Sequence, residues 1–328
     1  MAKLKIIILI IITLMSFNII ISQQIPAYSQ YWDNMFMFNP ALAGSTGYTI
    51  LNVMSRIQSV GIPGAPVDNS VSIEGRVLKD HFRLKSKLFG NKKYIPKTAG
   101  KVGLGCYIYD DRNGLIDRTG VSFAYAYHIF LKSTQVSFGL ALSVYQFKLD
   151  FSKMIIGNAQ DPVVSGSNSF SRLVSPDASA GIYFLNHSYF AGLSVMSLMQ
   201  SALKIGDKSY SDYQLLRHYY LFGGWNFNLG KTDIVPSILV KTSEQFQSIQ
   251  SDFTCKVEWN KVLFGGLSYR TSNDAIFFVG LFYHQFSFGY AYDYSFNPLI
   301  NYTFGSHEFS ISMKLGSEER REKWKERY

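Results

Sequence analysis

The sequence has little of what marks a soluble enzyme or a helical membrane protein. Charged residues make up 17% of its 328 residues and the mean hydropathy is +0.02, which is too polar for a helical membrane protein. No convincing amphipathic helix occurs between residues 47 and 315. Aromatic residues reach 16%, which is unusually high for a soluble protein and favours a membrane barrel with aromatic girdles.

Motifs of catalysis are also missing. There is no Gly-x-Ser-x-Gly elbow, no His-Glu-x-x-His zinc motif and no phosphate-binding loop of the Walker type. A barrel lipase would need a histidine near the lipid face, whereas His128 has the parity of the lumen. We therefore expect no enzymatic activity, no cofactor and no metal.

Cysteine occurs only twice. Cys106 and Cys255 share the parity of apolar neighbours, which indicates small apolar residues, and a disulfide between them is the alternative. No cysteine lies near the end of the N-terminal leader, so a lipid-modified N-terminus is not indicated.

The leader has the order of a secretory signal. Lys3 and Lys5 precede a mostly apolar run over residues 6–21. This order predicts a signal peptide, residues 1–22, that is cleaved on export, and a retained helical anchor is the alternative. Loss of the two lysines lowers the formal charge from +9 to +7. Because an exported barrel does not meet nucleic acid, we expect a protein or lipid partner.

Apolar residues alternate with small or polar ones along most of the chain. In residues 135–144 the even positions are valine, phenylalanine and leucine, and the odd ones glutamine, serine, glycine and alanine. A small, polar face opposite an apolar one predicts an all-β, transmembrane antiparallel β-barrel over residues 47–315. Pro236 weakens the ninth strand, because proline cannot donate to a ladder. The fourteen predicted strands are residues 47–57, 69–79, 100–111, 119–131, 134–147, 177–185, 188–197, 218–228, 233–243, 252–259, 262–271, 275–283, 286–294 and 306–315.

The lengths of the connections predict the orientation. Short connections follow even-numbered strands and longer ones follow odd-numbered strands, with residues 271–273 as the one short exception. Because such barrels have short periplasmic turns and longer external loops, we expect the barrel to start and end on the periplasmic side of the outer membrane.

One connection breaks this rule. Residues 81–100 should be periplasmic, yet they are long and cationic, and a charged tail, residues 316–328, is expected on the same side. We regard the loop as a candidate docking site for a periplasmic partner, with a solvated loop as the alternative. Its cations are Arg83, Lys85, Lys87, Lys92, Lys93 and Lys97.

The predicted lumen contains charges and free space. By parity, five charged side chains point inward: Arg56, Glu74, Arg76, Lys256 and Glu258. Their nearly balanced signs predict mutual pairing, with the lining of a pore as the alternative. Fourteen strands enclose more room than eight, the number that side chains can fill. We expect residues 23–46, which are aromatic and not strand-like, to form a plug-like segment in that room.

Several motifs resemble those of a known family. Tyr-Ser-Gln-Tyr at 28–31 is followed by Asn-Pro-Ala-Leu-Ala-Gly-Ser at 39–45, Arg-Ile-Gln at 56–58, Gly-Ile-Pro-Gly-Ala-Pro at 61–66 and Gly-Ser-His-Glu at 305–308. These motifs resemble the PorP/SprF family of the type IX secretion system. Their prolines and glycines suit a rigid plug and first external loop, or they merely end the first strand. The residues that carry the resemblance are Asn39, Pro40, Ala41, Gly44, Arg56, Gln58, Gly61, Gly64, Ala65, Pro66, His307 and Glu308.

The resemblance implies a non-enzymatic barrel in the outer membrane of a Gram-negative bacterium. It implies partners in the outer-membrane and periplasmic secretion machinery, and secreted cargo proteins with C-terminal sorting domains, such as the adhesins of gliding bacteria. Two features depart from the family: Ser59 stands where tryptophan is common, and a charged tail follows the last strand. The alternative is an outer-membrane channel for hydrophobic or small solutes, of the fatty-acid-transporter type.

Overall fold

Antiparallel strands dominate the computed structural model, which describes residues 28–77, 101–131, 133–150, 170–200, 202–204, 212–214, 216–244 and 249–316. Of the residues in these ranges, none forms a helix that is long and apolar enough to cross a membrane. The strands are β1 Thr49–Ile57, β2 Val67–Val77, β3 Val102–Asn113, β4 Ile116–Leu131, β5 Thr134–Asp150, β6 Phe170–Asn186, β7 Tyr189–Met196, β8 Ala202–Lys204, β9 Asp212–Gln214, β10 His218–Trp225, β11 Phe227–Asn228, β12 Thr232–Ser243, β13 Ile249–Trp259, β14 Leu263–Arg270, β15 Asp274–Tyr283, β16 Phe286–Ser295 and β17 Ser306–Leu315.

The strands close into a barrel. β1 pairs with β2 and with β17, and β10 pairs with β7 and with β12, so the ring has no free edge. β10 and β11 count as one interrupted strand, because both pair with β12 in one register. β8 and β9 form a separate hairpin between β7 and β10. The predicted antiparallel barrel of about fourteen strands is confirmed.

The two faces of the barrel differ as the alternation predicts. On β5, the outward-facing Leu140 and Leu142 are 64% and 66% exposed, whereas the inward-facing Ser137 and Ala141 are buried. Exposed apolar side chains around a closed barrel suit the hydrocarbon core of a lipid bilayer. The small inward side chains leave room in the lumen. Cys106 and Cys255 are both free, so the alternative of a disulfide is wrong.

Proline explains two local features of the sheet. Gly224 pairs with Ser237 and Phe227 with Ile234, so the break in pairing with β12 falls opposite Val235 and Pro236, and Pro236 has no N–H to donate. The predicted ninth strand, which is β12 in the structure, nevertheless runs through this proline.

β6 starts at Phe170, seven residues before the predicted start at 177. The predicted strand does not extend through Pro176, because proline cannot donate to a ladder. At Pro176, however, β6 pairs only with β5, since its pairing with β7 is limited to residues 180–185.

The connections lie at two ends of the barrel. One, the turn end, carries connection 78–101 and five short connections, which confirms that the short connections after even-numbered predicted strands share one end: 132–133, 187–188, 229–231, 260–262 and 284–285. The other, the loop end, carries connections 58–66, 114–115, 151–169, 197–217, 244–248, 271–273 and 296–305. Residues 271–273 are therefore not the one short connection at the loop end, because β3 and β4 are joined by two residues. Both strands extend toward the loop end beyond their predicted bounds.

Candidate functional site in the barrel interior

Residues 28–46, named the inner segment, lie inside the barrel. Three short 3-10 turns shape it: Tyr31–Asp33, Met35–Met37 and Pro40–Leu42. Its aromatic rings reach different walls: between ring centroids, Trp32 lies 4.2 Å from Phe278 of β15 and Phe36 lies 5.7 Å from Tyr107 of β3. Most of its side chains are buried against inward-facing residues of the strands.

Glu308 of β17 binds the start of the inner segment. Its two carboxylate oxygens accept the backbone N–H groups of Ser29 at 2.6 Å and Gln30 at 2.8 Å. Arg56 of β1 donates to Glu308 at 3.3 Å and to Asp293 of β16 at 2.8 Å, and it also donates to the Ser29 hydroxyl. Hydrogen bonds to ionised groups are the stronger class. Two strands that meet where the ring closes therefore fix the first residues of the segment.

The ion pair of Arg56 and Asp293 continues into a buried network. Asp293 lies 3.6 Å from Arg270 of β14, and Arg270 donates through two nitrogens to Asp252 of β13 at 3.0 to 3.1 Å. Each charge has a partner of opposite sign, which offsets the cost of its burial. Three lumen charges of this network were not predicted, although the alternation gives them inward parity: Asp252, Arg270 and Asp293.

Glu74 and Arg76 of β2 bind the end of the inner segment through its backbone. Glu74 accepts the N–H of Gly44 at 3.0 Å, and Arg76 donates to the carbonyls of Gly44 at 3.1 Å and Ser45 at 3.0 Å. Gly44 has a φ of +66°, and a Cβ there would lie 2.7 Å from the backbone of Gly75. The position therefore requires glycine.

The expected mutual pairing of the lumen charges is correct only for Lys256 and Glu258, whose charged atoms lie 2.9 Å apart. It is wrong for Glu74 and Arg76, which bind backbone groups of the inner segment. Arg56 pairs with carboxylates that the expectation did not include. Parity gives the direction of a side chain but not its partner.

Asn39 joins the inner segment to β6 and β7. Its side-chain oxygen accepts the N–H of Ala41 at 2.9 Å and so caps the third 3-10 turn, which has Pro40 at its first position. Its amide nitrogen donates to the carbonyls of Ile182 at 3.0 Å and Leu193 at 3.3 Å. One side chain thus fixes the turn and links it to two walls.

Inward-facing glycines and a histidine of the barrel wall pack against this turn. A Cβ at Gly139 of β5 would lie 2.2 Å from the nitrogen of Ala41, and one at Gly103 of β3 would lie 1.8 Å from the oxygen of Ala43. The Nε2 atom of His128 lies 3.1 Å from the same oxygen, which confirms its inward parity. The backbone of the turn therefore packs directly against the backbone of these strands, with no room for a side chain at either glycine.

Asp33 is the carboxyl group of the inner segment. It accepts the hydroxyl of Ser310 at 3.0 Å. Burial raises the pKa of Asp33 above its ordinary value, because loss of water disfavours the charged form, and Lys256 and the Ser310 hydroxyl act in the opposite direction.

The remaining motif residues lie near the loop end. The backbone N–H of Gln58 donates to the carbonyl of Pro66 at 2.9 Å, and its side chain donates to Asp68 at 2.8 Å. Gly61 and Gly64 have φ values of +105° and +73°, which glycine adopts readily. These contacts close the connection between β1 and β2 into a compact loop.

Ala65 belongs to the same connection, where its N–H donates to the carbonyl of Ile62 at 3.1 Å. His307 of β17 contacts Tyr290 instead, with 2.7 Å between Nδ1 and the hydroxyl. The motif residues therefore fall into two groups. The first group belongs to the inner segment or binds it: Asn39, Pro40, Ala41, Gly44, Arg56 and Glu308. The second group lies elsewhere: Gln58, Gly61, Gly64, Ala65, Pro66 and His307.

The predicted docking cations Arg83, Lys85, Lys87, Lys92, Lys93 and Lys97 lie outside the described residues, as do the predicted signal peptide and residues 317–328. Within the described ranges, no three histidine, cysteine, aspartate or glutamate side chains are grouped so that they could hold a metal ion.

A closed antiparallel barrel with an apolar exterior defines a β-barrel membrane protein. The chain belongs to the PorP/SprF family: residues 20–313 match the family described as type IX secretion system membrane protein PorP/SprF. The family is a membrane component of a secretion system, and membership points to a type IX secretion component with an outer-membrane barrel fold.

Several solved barrels are similar in structure at low identity. CdiB from Acinetobacter baumannii matches with a TM-score of 0.43 and 8% identity over 82% of this chain, which spans 60% of the CdiB chain. The NanC porin matches with a TM-score of 0.37 and 8% identity, over 81% of this chain and 100% of its own. A mutant of the Rh. blastica porin matches with a TM-score of 0.33 and 7% identity, over 82% and 99%. No curated protein matches the chain.

Proposed function

We propose that the chain is a non-enzymatic outer-membrane protein that supports the secretion or surface anchoring of cargo proteins and docks to periplasmic machinery. The cargo would be proteins with C-terminal sorting domains, such as adhesins used in gliding motility. Membership of the PorP/SprF family carries this proposal.

The occupied interior supports an anchoring role over a solute channel. Glu308 and Arg56 bind the start of the inner segment, and Glu74 and Arg76 bind its end. An anchoring protein has no need of an open lumen, whereas a channel of the fatty-acid-transporter type does. We therefore propose that residues 23–46 act as a plug.

The orientation follows from the two ends of the barrel. We propose that the signal peptide, residues 1–22, is cleaved, that the loop end faces the cell exterior, and that the turn end faces the periplasm. Cargo would then meet the loop end. Secretion machinery would meet the loop at 81–100 and the tail at 316–328.

Loss of the chain tests this function. Cells that lack it are expected to lose one or more surface proteins with C-terminal sorting domains, measured by mass spectrometry of surface-labelled proteins. Restoring the chain should restore them. An unchanged surface proteome would contradict the function.

The cationic loop gives a separate prediction. Replacing Arg83, Lys85, Lys87, Lys92, Lys93 and Lys97 by glutamine is expected to leave the barrel inserted but to remove periplasmic partners, because loop charges attract a partner of opposite sign. The measurement is mild-detergent purification with quantification of co-purifying proteins at low and high salt. The variant Lys231→Gln/Lys261→Gln, which neutralises two cations of short connections at the same end, is the control. Equal recovery of partners with the wild type and the six-residue variant would contradict docking by this loop.

A further inference from the structure

A cavity opens at the loop end of the barrel. Its empty volume, which includes the solvent space at its open mouth, is about 740 Å³. Tyr28 and Phe38 of the inner segment line it, together with residues near the loop ends of β2, β3, β4 and β6. A ligand reaching it from the loop end would therefore contact both the barrel wall and the inner segment.

Carboxylates dominate the charged lining of the cavity. Asp68, Asp110, Asp111 and Asp177 line it, with Arg118 as the one basic residue among its described lining. Arg118 donates to Asp111 at 3.0 Å. Within the described part of the chain, neither Asp68 nor Asp177 forms an ion pair. Asp110 pairs with Arg112 at 2.9 Å, so the lining has two carboxyl groups, those of Asp68 and Asp177, without a described basic partner.

One carboxylate oxygen of the buried Asp68 lacks a hydrogen-bond donor among the described residues. It is 1% exposed, and its Oδ1 atom accepts no hydrogen bond in the described part of the chain, although Oδ2 accepts from Gln58. Asp68 also lies directly opposite Asp111 in the pairing of β2 and β3, where like charges repel. A buried carboxylate oxygen without a donor is costly, so a cationic donor entering here would relieve both problems.

Aromatic and apolar groups complete the lining. Tyr28, Tyr107, Tyr109 and Tyr145 line the cavity, and the guanidinium carbon of Arg118 already lies 5.8 Å from the centroid of the Tyr109 ring. Tyrosine rings attract cations, and the nearby Met37, Phe38 and Met196 offer apolar surface to an aliphatic stem. This combination suits an alkyl chain that ends in a positive charge.

We propose that this cavity binds a lysine or arginine side chain of an extracellular polypeptide. The proposal rests on the proposed function for the orientation of the loop end, and it names the chemistry by which a partner is recognised. The carboxylates of the described lining are not grouped as ligands of one metal ion, so a cation with several N–H donors fits them better. A free amino acid would bring an α-carboxylate toward four aspartates, which a side chain of a polypeptide does not.

Titration of the purified full-length barrel in detergent tests the proposal. The probes are N-acetyl-lysine methylamide, its arginine counterpart, the neutral Nε-acetylated lysine compound and putrescine, with binding followed by calorimetry. We expect saturable binding of the first two and none of the neutral compound. No saturable binding of the charged compounds, or equal binding of the neutral one, would overturn the proposal. Tighter binding of putrescine would overturn the polypeptide source and indicate a small amine.

Isosteric variants identify the site. Asp68→Asn and Asp177→Asn are each expected to weaken binding about tenfold, as the loss of one charge-assisted contact implies. Asp117→Asn is the matched control, because Asp117 lies at the same end, 3.7 Å from Lys148, and does not line the cavity. An equal loss with Asp117→Asn would refute the site, and Asp177→Asn carries the test if Asp68→Asn does not fold. Binding with an unchanged surface proteome in cells lacking the chain would refute the proposed function and leave the cavity assignment intact.

Discussion

Replacing Glu308 by alanine is expected to lower the free energy of unfolding by about 3–5 kcal/mol, as the removal of one member of a buried ion pair does. Glu308 is 1% exposed and accepts the N–H groups of Ser29 and Gln30. Its loss leaves these two donors unsatisfied and removes one of the two carboxylates that neutralise Arg56. The measurement is denaturant unfolding of the barrel in lipid vesicles, followed by tryptophan fluorescence.

Glu258→Ala provides the matched control. Glu258 also faces the lumen and pairs with Lys256 at 2.9 Å, but its side chain is 28% exposed and, among the described residues, it accepts no hydrogen bond from the backbone of the inner segment. Because a partly solvated pair contributes little, we expect a loss of about 1 kcal/mol or less. Equal destabilisation by the two substitutions would show that the contacts of Glu308 with the inner segment add nothing.

Replacing Gly139 by valine is expected to convert a silent barrel into a conducting one. A Cβ at this position would lie 2.2 Å from the nitrogen of Ala41 and 2.3 Å from the carbonyl carbon of Pro40, and both are backbone atoms that cannot rotate away. The third turn of the inner segment must then leave its place on β5. Single-barrel conductance in planar lipid bilayers is the measurement, with the wild type expected to be silent.

Gly223→Val is the control for this substitution. Gly223 lies on β10 with the outward parity of Leu221, and the nearest atom to a Cβ there is the oxygen of Phe190 at 3.2 Å. We expect this variant to stay silent. A conducting wild type would contradict the plug and favour the solute channel, and a silent, correctly folded Gly139→Val barrel would contradict the expected displacement.

Alternation made the barrel predictable. A period of two gives the facing of every residue within a strand, so the inward positions of Arg56, Glu74 and Arg76 could be assigned without coordinates. The signal weakens where a strand extends past the apolar band, as β6 does before Pro176. There only pairing with β5 defines the strand, and pairing is not local in sequence.

The partners inside the lumen could not be predicted in the same way. Glu74 and Arg76 are two residues apart on one face, which suggests a pair, yet the backbone of Gly44 competes for both. This outcome depends on the path of a segment with no periodic pattern. Asn39 illustrates the limit, since its motif is evident but its bonds to the carbonyls of Ile182 and Leu193 follow only from the closed barrel.

The contact of Glu308 with Ser29 and Gln30 also constrains the order of assembly. The residues of the inner segment are synthesised before any strand, and β17, which carries Glu308, is synthesised last. A separation of 279 residues between Ser29 and Glu308 makes this contact among the most expensive in loop entropy. The pairing of β17 with β1 brings Glu308 to the start of the inner segment, so we expect this contact to form together with the closure of the barrel. A chain truncated before β17 would lack both the closing pair of strands and the carboxylate that holds its own beginning.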